Sequence, residues 1–114
     1  MVLTDHINLM PGNPLIGPHD PDFGPRFPDH TTVYDPDLRQ TLHAVGEAAG
    51  SPLPHGVYLA LSGPAYESPA DIRAFAGMGC ACVRLFTGPG AQVANLAGRR
   101  LAALTCISNR ATRR

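Results

Sequence analysis

Glu67 is the residue in this chain whose surroundings best suit it for chemistry. It sits in Gly63-Pro64-Ala65-Tyr66-Glu67-Ser68-Pro69-Ala70, directly after the strand-like run Val57-Tyr58-Leu59-Ala60-Leu61-Ser62. A strand that ends in a Gly-Pro turn delivers a carboxylate and an aromatic ring beside a helix start. The carboxylate can accept hydrogen bonds from a ring N–H and an exocyclic amine, and Tyr66 can stack on, or edge against, a flat ring. The pair suits a planar, hydrogen-bonding ligand such as a nucleobase. Each residue also has a local role open to it. Glu67 could simply complement the dipole of the helix that starts at Ser68, and Tyr66 could be core packing.

Other reactive side chains carry less. Asn109 follows an apolar run, and its amide can both donate and accept; the same residue could equally cap a strand end in the left-handed conformation. Gly88-Pro89-Gly90, between a strand-like and a helix-like stretch, could cradle an anion, but one short glycine-rich turn is thin ground for a site. His6, in Asp5-His6-Ile7-Asn8, reads as a structural histidine. His19, His30, His43 and His55 have no spacing that suggests a triad or a metal site, so surface positions are expected. Cys80-Ala81-Cys82 could be half of a metal site, yet no second ligand pair follows at zinc spacing. The three cysteines are therefore expected to be reduced, buried structural thiols of a cytosolic protein.

The elements that position these groups follow from composition. At 114 residues the chain can form one ordinary domain. No apolar run approaches the roughly 20 residues needed to span a bilayer, and Met1 is not followed by a basic segment and an apolar stretch, so a soluble, unexported protein is expected. All nine acidic residues lie at or before Asp71, whereas seven of the nine arginines lie after it, and there is no lysine. The basic end formed by Arg99, Arg100, Arg110, Arg113 and Arg114 could attract an anion, but without interleaved aromatics nucleic-acid binding is not expected.

Seven of the twelve prolines fall in residues 11–36, which excludes a helix or a central strand there and predicts a long surface loop. Asp35-Pro36-Asp37 then starts a helix: a capping carboxylate, a proline suited to the first turn and a charge that complements the dipole. Leu38, Leu42, Val45 and Ala49 recur at helical spacing, and Gly50 with Pro52 ends the run. A strand at 57–61 follows. Ser68-Pro69-Ala70-Asp71 opens a second helix with Ile72, Phe75 and Ala76 as its apolar stripe. Further elements are a strand at 82–86, a short helix at 89–97 and a strand at 101–107. Strands alternating with helices predict an α/β fold of parallel βαβ units. The expected division is a proline- and glycine-rich loop at 11–34, a βαβ core at 35–109 and a basic tail at 110–114. Ligands of such sheets gather beyond the carboxyl ends of the strands, which places Ser62-Gly63-Pro64, Thr87-Gly88-Pro89 and Ser108-Asn109 at one crevice.

Four motifs in order carry a family resemblance: Asp5-His6-Ile7-Asn8-Leu9, Asn13-Pro14-Leu15-Ile16-Gly17-Pro18, Phe23-Gly24-Pro25-Arg26-Phe27-Pro28, and the Gly63 to Ala70 turn. Together they resemble the trimeric purine nucleoside phosphorylase family, over a C-terminal region that lacks the family's N-terminal half. The resemblance implies phosphorolysis of 6-oxopurine ribonucleosides to free base and ribose 1-phosphate, a purine-salvage reaction of the cytoplasm. It implies that Glu67 binds the purine base, that Tyr66 flanks it, and that Asn109 is the catalytic contact to O6 and N7 where charge develops. Val83 and Leu85 would line the base and sugar side. No metal or organic cofactor is implied; phosphate is the cosubstrate, and the family assembles as homotrimers.

Departures cluster at the second strand end. Arg84 stands where the family has glycine, Phe86 where it has serine and Gly90 where it has glutamate, while Asn95-Leu96 replaces an Arg-His pair. A buried, unpaired arginine at 84 would be costly, and Phe86 would fill part of a pocket. The family's phosphate-binding residues lie upstream of the matching region. The isolated chain is therefore expected to be inactive, with exposed sheet edges; the alternative is a non-catalytic relic or module that binds a phosphorylase subunit or a missing N-terminal half.

Overall fold

A computed structural model describes residues 1–84 and 87–111. The chain alternates strand and helix: β1 (Val2–Asn8), a 3-10 turn (Pro21–Phe23), α1 (Pro36–Ala48), β2 (His55–Ala60), α2 (Pro69–Gly77), β3 (Cys80–Arg84) and α3 (Thr87–Leu96). The three strands form one parallel sheet in the order β1-β2-β3. Asp5 pairs with Val57 and Asn8 with Ala60, and Leu59 pairs with Val83. This is the α/β arrangement of βαβ units that the strand–helix alternation predicts. α1 packs on β1 and α2 on β3. Central β2 carries the core: Tyr58, Leu59 and Ala60 are fully buried, joined by Val2 and Leu3 of β1 and Ala91 of α3.

Helix starts obey the capping signals. Asp35 caps α1 by accepting from the Leu38 amide at 2.9 Å, with Pro36 in the first turn. Ser68 caps α2 in a reciprocal box with Asp71. Between β1 and α1 the chain forms neither α-helix nor strand, as its prolines require, but it is tied down. The Asn95 amide of α3 donates to the Asp29 carbonyl at 2.7 Å, and Arg26 donates to the carbonyls of Leu15 and Gly17 at 3.1 and 3.0 Å. Gly24 lies so close to the Leu96 carbonyl, at φ +146°, that no side chain fits. At the loop's end Val33 and Tyr34 enter the core.

Two expected elements differ, and β1 adds a strand ahead of the alternation expected from residue 35 onward. Residues 101–107 do not form a third strand of the parallel sheet. A single antiparallel bridge joins Leu104 to Val2. The physical reason is divided backbone pairing. The Leu3 amide donates to Ala103 and the Thr105 amide to Met1, at 2.9 Å each, whereas the Leu101 carbonyl takes the Asp35 amide at 2.7 Å. With its polar groups shared between two partners, the run builds no ladder. The second expected strand runs 80–84 instead of 82–86, and Leu85 and Phe86 lie outside the described residues.

Candidate functional site

The carboxyl ends of the strands are laced together before the chain turns. The Leu9 amide donates to the Ala60 carbonyl at 3.0 Å, and the Leu61 amide to the Arg84 carbonyl at 3.1 Å. Leu9 and Leu61 are thereby set side by side, and with Phe75 of α2 they give a cavity of about 240 Å³ its apolar wall. Ser62, Ala65, Tyr66, Glu67 and Asp71 complete the lining. The cavity thus lies where parallel sheets bind their ligands.

Its chemistry is simple. Glu67, half-buried, and Asp71 supply two carboxylates; Ser62 adds a hydroxyl; among the described residues no arginine or histidine lines it. Tyr66 stands at the rim, 97% exposed. Such a wall can accept hydrogen bonds from N–H donors of a flat molecule over an apolar floor. Among the described residues an anion would meet like charge.

Of the sequence-derived site residues, Tyr66 and Glu67 are brought together here. Val83 is half-buried in β3 and does not line the cavity, and Leu85 lies outside the described residues. Asn109 is exposed and, among the described residues, engages its neighbours: Ser108 Oγ donates to its Oδ1 at 3.0 Å, and its Nδ2 donates to the Arg110 carbonyl at 3.4 Å. It is off the cavity wall because the 101–107 run pairs with the start of β1 rather than extending the parallel sheet. The single crevice expected from three strand ends therefore reduces to the Ser62 side. At Thr87-Gly88 the space is filled, since a side chain at Gly88 would strike Tyr58 Oη at 2.5 Å.

Several other expectations are corrected. The cost of a buried, unpaired Arg84 does not arise: Arg84 is exposed, and its Nη2 donates to the Cys106 carbonyl at 3.0 Å. Cys106 is exposed, and Cys80 and Cys82 are only half-buried. Burial still pushes both of these thiols up, which leaves them protonated at neutral pH. His43 and His55, given no partner by spacing, meet edge-on with ring centroids 5.6 Å apart. They come together only because α1 delivers the chain back to the start of β2, a proximity with no signature in spacing.

His6 is structural in its surroundings. Its Nδ1 lies 2.9 Å from Tyr34 Oη, and its ring meets Tyr34 and Tyr58 edge-on. Burial lowers its pKa, opposed by Asp5 and reinforced by His30. Tyr58 Oη is buried with no partner among the described residues, and burial pushes it up to about 12. Among the described residues no group of three or more His, Cys, Asp or Glu gathers as a metal would require, and no helix is long and apolar enough to cross a membrane.

Comparison with known proteins agrees with this frame. The family model of the phosphorylase superfamily matches residues 1–114. Purine nucleoside phosphorylase 1 of Bacillus subtilis is 47% identical over 111 residues, which are 97% of this chain and 41% of that protein. The purine nucleoside phosphorylase of Bos taurus is 38% identical over 116 residues, 96% of this chain and 40% of its own length. A schistosoma purine nucleoside phosphorylase solved with hypoxanthine superposes at a TM-score of 0.94 with 36% identity, over 99% of this chain and 42% of that one. The chain thus spans about two-fifths of the length of the relatives it matches. With a match along its whole length and a near-superposable fold, the chain belongs to the phosphorylase superfamily and is a relative of its purine nucleoside phosphorylases.

Proposed function

We propose that these residues form the base-holding part of a purine nucleoside phosphorylase, an enzyme that splits 6-oxopurine ribonucleosides with phosphate into free base and ribose 1-phosphate. The observation that carries this reading is the placement of Glu67 and Tyr66 together at a cavity beyond the strand ends. One related structure holds hypoxanthine and another ribose 1-phosphate, the base and sugar products of such a reaction. Glu67 would accept from the ring N–H and exocyclic amine of the base, and Tyr66 would cover one face. Asn109 would meet O6 and N7 as charge builds on the departing base, a contact that acts on the transition state. On this reading the segment after Thr105 must fold over the cavity for Asn109 to arrive. Val83 and Leu85 would face the sugar side of the bound nucleoside. Assembly as a homotrimer and a place in purine salvage belong to the same proposal.

The 114-residue chain by itself is proposed to hold base without turning over nucleoside. Support comes from the cavity's charge: among the described residues Glu67 and Asp71 are the ionic ones that line it, and both repel phosphate. Purified chain with inosine and phosphate should release no hypoxanthine, while calorimetry with guanine should show binding that Glu67→Ala weakens on the order of 10- to 100-fold, the worth of hydrogen bonds to a charged group. Phosphate-dependent hypoxanthine release would overturn the first statement. Equal guanine binding after Glu67→Ala, or no heat at millimolar guanine, would overturn the second.

A further inference from the structure

We infer that Ser68 and Asp71 are positioning residues for Glu67, fixing the direction from which its carboxylate meets a base. This inference rests on the base-site reading of the cavity. The Glu67 side chain makes no hydrogen bond among the described residues, so the restraint on its aim lies in the backbone from which its rotatable side chain projects. That backbone is pinned immediately downstream. The Ser68 amide donates to Asp71 Oδ2 at 2.9 Å, Ser68 Oγ donates to the same oxygen at 2.8 Å, and the Asp71 amide donates to Ser68 Oγ at 3.2 Å. The peptide joining Glu67 to Ser68 therefore has its N–H held by a charged acceptor, a stronger restraint than a neutral one. Pro69 stiffens the next link by fixing its φ.

Direction matters because two donors must be met at once. A carboxylate that accepts from both a ring N–H and an exocyclic amine needs its plane aligned with the base, whereas a single hydrogen bond tolerates a wide angle. Loosening the peptide at 67–68 should thus weaken the second contact before the first. These same hydrogen bonds to Ser68 hold the Asp71 carboxyl below the usual carboxylate range, so the box stays intact through neutral pH. Asp71 also borders the cavity, which keeps the restraint beside the group it restrains.

The test is the affinity of the 114-residue chain for guanine relative to hypoxanthine, measured by calorimetry at matched conditions. Both bases present the ring N–H, and only guanine adds the amine. Because the readout is a ratio, it does not depend on the folded fraction, which thermal unfolding follows separately for each variant. The wild-type chain should prefer guanine on the order of tenfold. Asp71→Ala and Ser68→Ala should each bring the ratio toward one, and Asp71→Glu, which rebuilds the box in its commoner form, should restore it. An unchanged ratio in Asp71→Ala and Ser68→Ala overturns the positioning role and leaves the base-site reading standing. A wild-type chain without guanine preference, or one whose preference survives Glu67→Ala, overturns both together.

Discussion

Tyr58 carries a hydroxyl that folding has taken out of water without giving it a partner among the described residues. Its ring is fully buried in the middle of the sheet, between His6 and the first turn of α3, where Gly88 leaves just enough room for Oη. An unmet buried hydroxyl costs free energy that a hydrogen atom in its place does not. Tyr58→Phe should therefore stabilise the chain by about 1 kcal/mol, read as a higher midpoint in thermal unfolding. A lower midpoint would show that Oη has a partner after all. At this scale the sequence was legible where a residue's role follows from its immediate neighbours. Glu67 and Tyr66 follow a strand and a Gly-Pro turn, and the structure sets both at the cavity. Tyr58, His6 and the His43–His55 contact depend on partners dozens of positions away. Nothing local announces them.

Helix starts illustrate the same rule one level up. Asp35-Pro36-Asp37 and Ser68-Pro69-Ala70-Asp71 each predict a helix start, and α1 and α2 begin where these signals put them. What spacing could not supply is the second use of Asp35. Arg100 approaches it with two hydrogen bonds, Nε to Oδ2 at 3.0 Å and Nη2 to Oδ1 at 3.1 Å, so one carboxylate both caps α1 and holds the segment that follows α3. The Arg100 bond, then the helix-cap bond, hold its carboxyl down to about 2. An unfolded aspartate titrates near 4. The folded state thus binds fewer protons in that window, and its stability is complete above about pH 4 and falls as pH drops toward 2. His6 adds a drop of the same sign at higher pH, because burial lowers it and the unfolded chain takes up its proton first, from about 6.5 downward. Urea midpoints measured across pH should show both losses. Asp35→Asn should flatten the lower one and His6→Phe the upper one. An unaltered slope in either variant would remove the corresponding assignment. The 101–107 run departs from expectation at this scale because an apolar composition allows an extended chain but does not specify which strand it pairs with.

For the whole molecule, core and surface are poorly matched. The buried apolar residues gather around β2, while Ile16 and Phe27 of the long loop stand 71% and 90% exposed. So small a core leaves little margin, and Leu59, fully buried at the centre of the sheet, is where it should be thinnest. Leu59→Ala should cost about 2–5 kcal/mol, a large part of the total, and appear as a collapse of the urea midpoint. A loss below about 1 kcal/mol would mean that the described core is not the one that holds the chain together. Capping residues, prolines and the strand–turn–helix order act within a few residues of one another, so the amino-acid sequence by itself determined where α1 and α2 start, the strand–helix alternation from α1 to α3 and the Tyr66-Glu67 turn beside a helix start. Pairing and enclosure join residues far apart along the chain. Only the tertiary structure decided that 103–105 lies against Met1 to Leu3, that Arg84 turns to the Cys106 carbonyl, and that Asn109 stands off the cavity. That the Glu67 carboxylate stands after a strand and beside a helix start was readable from its neighbours. The apolar wall it works against required Leu9, Leu61 and Phe75 to be brought there by three different elements.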